Sequence, residues 1–149
     1  MELTNLEEAL NQLLSVSLPW EVGKIELQLK EKVVDVHIDF KKGSKFKCSQ
    51  CGKECSAYDS NERKWRHLDL FEFRCYLTIK APRTNCPTCG VKVIHEVPCG
   101  RINSHYSFFE QKVMRLVSEM SMSAVGVELG EPDNNLWRVF NHYPARAGP

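Results

Sequence analysis

Two short cysteine pairs constrain this chain more than any other feature. Cys48 and Cys51 stand in CSQCG, and Cys86 and Cys89 in CPTCG. Each C-x-x-C wraps a tight turn around a metal ion, and the glycine that follows lets the backbone fold back. Together they offer four thiolates, enough to complete tetrahedral zinc with no position left for water or substrate. A closed shell of this kind is structural rather than catalytic. The 34 residues between the pairs exceed the usual short spacer, so the expected zinc ribbon carries a long β insert. A redox pair or a bare thiol cluster is the weaker reading.

The chain has seven cysteines, an odd number, and begins with the acidic, amphipathic MELTNLEEAL rather than a basic and apolar secretory leader. Both facts argue against a disulfide framework and for a cytoplasmic protein. Cys55, Cys75 and Cys99 read as buried small hydrophobes. His67 and His95 could enter a metal shell, but no second motif places them there. A zinc deaminase is excluded, because His95 and Glu96 are adjacent, follow the cysteines, and lack the required spacing.

At 149 residues and 42% apolar content, the sequence suits one compact domain or two small ones, with no run long enough to span a bilayer. Its net charge of +1 conceals an asymmetry: −5 over residues 1–40, +7 over 41–92 and −1 over 93–149. A basic middle between acidic flanks points to a polyanionic partner. One zinc ion with four thiolates reduces that +7 to about +5.

Residues 4–15 read as a helix capped by Thr4, with Glu7 completing a capping box and Leu6, Leu10, Leu13 and Leu14 in one stripe. Over 20–40 the apolar period becomes two, which predicts a β-hairpin turning near Glu31 with His37 solvated on the polar face. Lys41, Lys42, Lys45 and Lys47 lead into the first cysteine pair. Strands are expected at 69–80 and 91–97. Arg63, Lys64 and Arg66 around Trp65, together with Arg83, make a candidate phosphate-contacting surface.

Residues 107–120 predict a helix capped by Ser107 with Glu110 at the capping-box position. Ser121 or Ser123 caps a second helix ending at Leu129, Gly130 makes the turn, and Pro132 opens a third helix running to about Tyr143. Gly126 is small where helices must approach, and Leu136 and Val139 pack the third helix inward. Asn134, Asn135, Arg138, Asn141 and His142 then fall on or near its outer face, and Asn and Arg are the side chains that read adenine and guanine edges. Glu131 is a misfit, a charge where such turns are usually apolar.

In combination, the β-hairpin, CSQCG, RKWRHLDLFEFRCYLTIKAPRTNCPTCG, MSMSAVGVELG and NNLWRVF resemble the ISL-three family of bacterial insertion-sequence transposases. The resemblance runs from about residue 20 to 143, and W-R-H-L-D-L is its most specific element. It implies that Cys48, Cys51, Cys86 and Cys89 hold zinc and that the third helix contacts transposon-end DNA. Family members continue into an RNase H-like catalytic domain with an acidic triad, and no such triad can be carried over here.

The expected fold is therefore α+β: an N-terminal helix and β-hairpin (1–40), a four-cysteine zinc ribbon (41–101), a helix-turn-helix of three helices (102–143) and a tail (144–149). The expected function is zinc-dependent, sequence-specific binding of double-stranded DNA at terminal inverted repeats, without catalysis by the chain alone. Such a protein would sit at the bacterial nucleoid. The alternative is a protein-interaction module that pairs with and regulates a full-length transposase; expected protein partners are a second copy of the chain or that transposase.

Overall fold

The computed structural model describes residues 2–98, 100–101 and 108–142, in two compact units, Met1–Asn103 and Ser104–Pro149. The predicted Ser107 cap, Cys99 and Tyr143 lie outside the described residues.

The first unit opens with helix α1 (Leu6–Leu13), followed by strands β1 (Trp20–Gln28) and β2 (Val33–Phe40). The cap of α1 is Asn5 rather than Thr4: its side chain accepts the Glu8 N–H at 2.7 Å, while the Thr4 hydroxyl reaches the Glu8 carboxylate. Asn holds this geometry at least as well as Thr, so the cap moves one residue inward. Only Leu10 of the predicted stripe is fully buried, and Leu6 and Leu13 are exposed. The hairpin forms as the period-two pattern requires, with Trp20 opposite Phe40 and Gln28 opposite Val33.

Strands β3 (Lys45–Lys47), β4 (Glu54–Leu70), β5 (Phe73–Cys86) and β6 (Gly90–Val93) follow, then the short pair β7 (Glu96–Val97) and β8 (Gly100–Arg101). The large sheet runs β1-β2-β5-β4-β3, with β6 on β5. β2 and β5 are parallel; the other pairs are antiparallel. The strand expected at 69–80 is corrected. A turn at Phe71 and Glu72 interrupts it, and Phe71 holds a φ of +57°.

One sheet face carries the core. Val34, Val36 and Ile38 of β2 lie beside Cys75, Leu77 and Ile79 of β5, all nearly inaccessible to water. Leu10, Val16, Val22, Phe46, Ile94 and Val97 complete the cluster, with Trp20 and Trp65 partly buried against it. Each such aliphatic side chain contributes about 1.5–3 kcal/mol relative to exposure. The opposite face is polar, and its charges are laced together. Lys64 reaches Asp35 at 2.9 Å, Lys80 reaches Asp39 at 3.1 Å, and Glu26 holds both Lys24 and His37. The His37 Nε2 lies 2.8 Å from a Glu26 carboxylate oxygen, with only about a quarter of its side chain exposed, rather than in open solvent.

The second unit contains α2 (Phe108–Val117), α3 (Met122–Leu129) and α4 (Asp133–His142) around Phe109, Val113, Val125, Leu129, Leu136 and Val139. Ser121 caps α3 by accepting the Ala124 N–H, and Gly130, at φ +67°, ends it. α4 begins at Asp133, one residue after Pro132, whose carbonyl accepts the Asn135 N–H. No described helix is long and apolar enough to cross a membrane.

Candidate metal centre and nucleic-acid interface

Two hairpin turns bring the four cysteines together. Cys48 to Cys51 form a turn between β3 and β4, closed by the Gly52 N–H on the Cys48 carbonyl and the Cys48 N–H on the Lys53 carbonyl. Cys86 to Cys89 form the turn between β5 and β6, with Cys86 opposite Gly90. Gly52 and Gly90 both hold φ near +80°, which a side chain would strain.

The four sulfurs lie within 4.8 Å of one another, and those of Cys51 and Cys86 are 3.6 Å apart. With Zn–S bonds of about 2.3 Å, a tetrahedral shell sets its sulfurs roughly 3.8 Å apart, so the residues fit zinc. Backbone N–H groups of Cys51 and Gln50 lower the Cys48 thiol, and those of Cys89 and Thr88 bring Cys86 down to about 6. Burial and the adjoining Cys51, Cys48 and Cys86 push Cys89 up to about 12. The cluster thus favours some thiolates and resists the full set. A bound dication relieves that conflict, cross-linking both turns as a structural ion.

Cys55 is buried against Cys48 and Cys86 but lies outside the four-sulfur group, its thiol directed at the Lys53 carbonyl. Cys75 belongs to the sheet core. His67 is half-buried on β4, and burial lowers its imidazole. His95 is exposed beside the first knuckle, lining a groove with Lys47 and Ser49.

Of the basic candidates on β4 and β5, three are held internally. Lys64 pairs with Asp35 and lies 4.9 Å from the Tyr76 ring centre. The Arg66 side chain is almost wholly buried and pairs with Asp69. Arg83 grips Asp59 through two N–H groups. Arg63 is exposed with no ion pair among the described residues.

On α4, Leu136 and Val139 face the core while Asn134, Trp137, Arg138 and Asn141 are exposed. These four recur at the three- and four-residue spacing of one helical face. Asn135 is drawn off that face. Its amide donates to the Glu131 carboxylate at 3.2 Å, which also accommodates the misfit charge in the turn. His142 is the last residue of α4, and its side chain is outside the described set. Trp137 was not anticipated, because a tryptophan reads as core. Its spacing from Asn134 and Arg138 was the available signal.

Residues 44–89 match the family described as the zinc-finger of transposase IS204/IS1001/IS1096/IS1165. The transposases for insertion sequence element IS1557 of Mycobacterium tuberculosis strains CDC 1551 / Oshkosh and ATCC 25618 / H37Rv are each 37% identical to this chain over 82 residues. Those residues are 53% of this chain and 18% of each relative, so the match spans less than a fifth of the relatives' length. No solved structure matches. Residues 44–89 are thus similar to the zinc finger of insertion-sequence transposases, and the four cysteines within them fit one zinc ion.

Proposed function

We propose that this protein recognises double-stranded DNA for transposition, with zinc fixing the ribbon and α4 reading the transposon's terminal inverted repeats. The observation that carries the reading is a transposase zinc ribbon in one chain with a helix–turn–helix whose last helix exposes Asn134, Trp137, Arg138 and Asn141 on one face. Asn and Arg present bidentate groups to adenine and guanine edges, and an exposed indole suits the thymine methyl group. The chain binds rather than catalyses, and it works at the nucleoid. Fluorescence anisotropy of the zinc-loaded protein on inverted-repeat and random duplexes, across a salt series, tests this. Tight, salt-steep binding with preference for the repeats supports it, and absence of binding at low salt overturns it.

A second reading, a module that pairs with a transposase chain, draws on the exposed Leu6 and Leu13 of α1. A stoichiometric complex with a full-length transposase in the absence of DNA would favour it.

A further inference from the structure

We infer that the zinc ribbon grips the phosphate backbone of nucleic acid through the lysines flanking its first knuckle, Lys45, Lys47 and Lys53, with Lys41 and Lys42 alongside. The inference rests on the DNA-binding reading and assigns the contacts to a surface other than the arginines of β4 and β5.

Residues 41–53, KKGSKFKCSQCGK, contain five lysines and no acid. All five are exposed, and none has an ion pair among the described residues. Elsewhere among the described residues of the first unit, unpaired cations such as Lys30, Arg63 and Lys92 stand singly along the chain, and most of the others are neutralised. Lys24, Lys32, Lys64, Lys80, Arg66 and Arg83 each have a carboxylate within 4 Å. Like charges crowded without counter-charges repel one another, and a polyanion brought to them relieves that repulsion. The zinc shell does not remove the excess. Four thiolates around one dication carry about −2, which two lysines offset, and three remain.

The lysines are also held on a rigid base. Phe46, between Lys45 and Lys47, is buried, and its ring lies 5.6 Å from Trp20 and 5.1 Å from Phe40. Alternation in β3 therefore turns both lysines away from the core. Two shallow grooves flank the knuckle. One, of about 450 Å³, is lined by Lys47, Ser49 and His95 among others. The other, of about 430 Å³, has Lys45, Lys53, Tyr58 and Asn85, with Glu54 as its one acid. Amines beside hydroxyl, imidazole and amide donors suit phosphate oxygens without reading sequence.

The test compares the full zinc-loaded chain with two triple variants on a random-sequence duplex over a salt series. Lys45→Gln/Lys47→Gln/Lys53→Gln removes the unpaired amines. Lys24→Gln/Lys32→Gln/Lys80→Gln removes the same charge from paired positions. The first should lower the slope of log affinity against log salt by about 2–3 and weaken binding roughly tenfold or more, given about 0.9 per phosphate contact. The second should leave the slope near wild type. Equal losses in both variants would mean that only net charge matters and would overturn the assignment. So would a slope unchanged in the first, with the DNA-binding reading intact. Failure of the wild-type chain to bind any duplex would remove both. As an independent measurement on unmutated protein, duplex DNA should shield Lys45, Lys47 and Lys53 from acetylation more than Lys24 or Lys80. The reverse order would also overturn the assignment.

Discussion

The Arg83 guanidinium holds the Asp59 carboxylate across β4 and β5, with Nε 2.7 Å from Oδ1 and a second N–H group on Oδ2. The pair keeps the Asp59 carboxyl below its usual range. Three N–H donors remain, but the carboxylate neutralises the guanidinium and fixes its orientation, which weakens its pull on a phosphate. Arg83→Gln should therefore change the salt slope of duplex binding by less than about half a unit, against about 0.9 for each lost phosphate contact. A full unit of change would show that the arginine leaves Asp59 for DNA.

That pair also marks how far the sequence could be read. The cysteine ligands were legible because metal spacing is local: each turn is written in four residues and its glycine. The hairpin of β1 and β2 was legible from its period of two. Asp59 and Arg83 are 24 residues apart, and Asp35 lies further still from Lys64, so their pairing depends on a register that local pattern does not encode. β4 escaped notice because residues 58–64 are exposed on both faces and carry no alternation. The turn before β5 was hidden because Phe71, rather than Gly or Asn, occupies the left-handed position.

Removing zinc should unfold the ribbon, because the metal cross-links the turn after β3 to the turn after β5. Binding energy at such sites is folding energy, with apparent values on the order of 10–16 kcal/mol in zinc-finger peptides. Cys89→Ser should lose zinc and the ribbon's cooperative melting. Cys55→Ala, outside the four-sulfur group but buried against it, should retain one zinc per chain and lose about 1 kcal/mol of stability. Zinc stoichiometry by mass spectrometry separates the two. Loss of metal from the Cys55 variant would make that thiol part of the site.

His67 sets a pH dependence of known sign. Burial lowers its imidazole, and a hydrogen bond with the Leu68 backbone only partly opposes the shift. The folded state therefore releases the proton more readily than the unfolded chain. Stability is undiminished above the unfolded value of about 6.5 and declines as pH falls from there toward the folded value. Urea midpoints between pH 7.5 and 5.5 should fall for the wild type and stay flatter for His67→Gln. Parallel curves would mean that His67 does not titrate differently on folding.

Gly126 is required by a close approach. A Cβ at this position would stand 2.9 Å from the Glu131 carbonyl oxygen and 3.2 Å from an Asp133 carboxylate oxygen. The first contact is backbone, so α3 and the turn into α4 must shift apart. Gly126→Ala gains helix propensity, yet overpacking of this kind costs about 1–3 kcal/mol. The expected outcome is earlier hydrogen exchange in α3 and α4, with zinc binding unchanged. A stabilised variant would mean that the turn yields without cost.

The outer face of α4 and its flank should behave differently under mutation. Arg138 and Asn141 are exposed and have no side-chain partner among the described residues, while the Asn135 amide is tied to Glu131. If α4 reads bases, Arg138→Ala should cost roughly 1–3 kcal/mol on the preferred duplex and much less on random DNA. Trp137→Ala should act in the same direction, since the indole lies on the same strip and meets Phe140 edge-on rather than filling the core. Asn135→Ala should instead remove the amide hydrogen bond that the Glu131 carboxylate accepts, loosen the turn before α4, and weaken preferred and random duplexes alike. Paired titrations on both duplexes distinguish these outcomes. Equal loss on the two duplexes for Arg138→Ala would demote that residue to a phosphate contact.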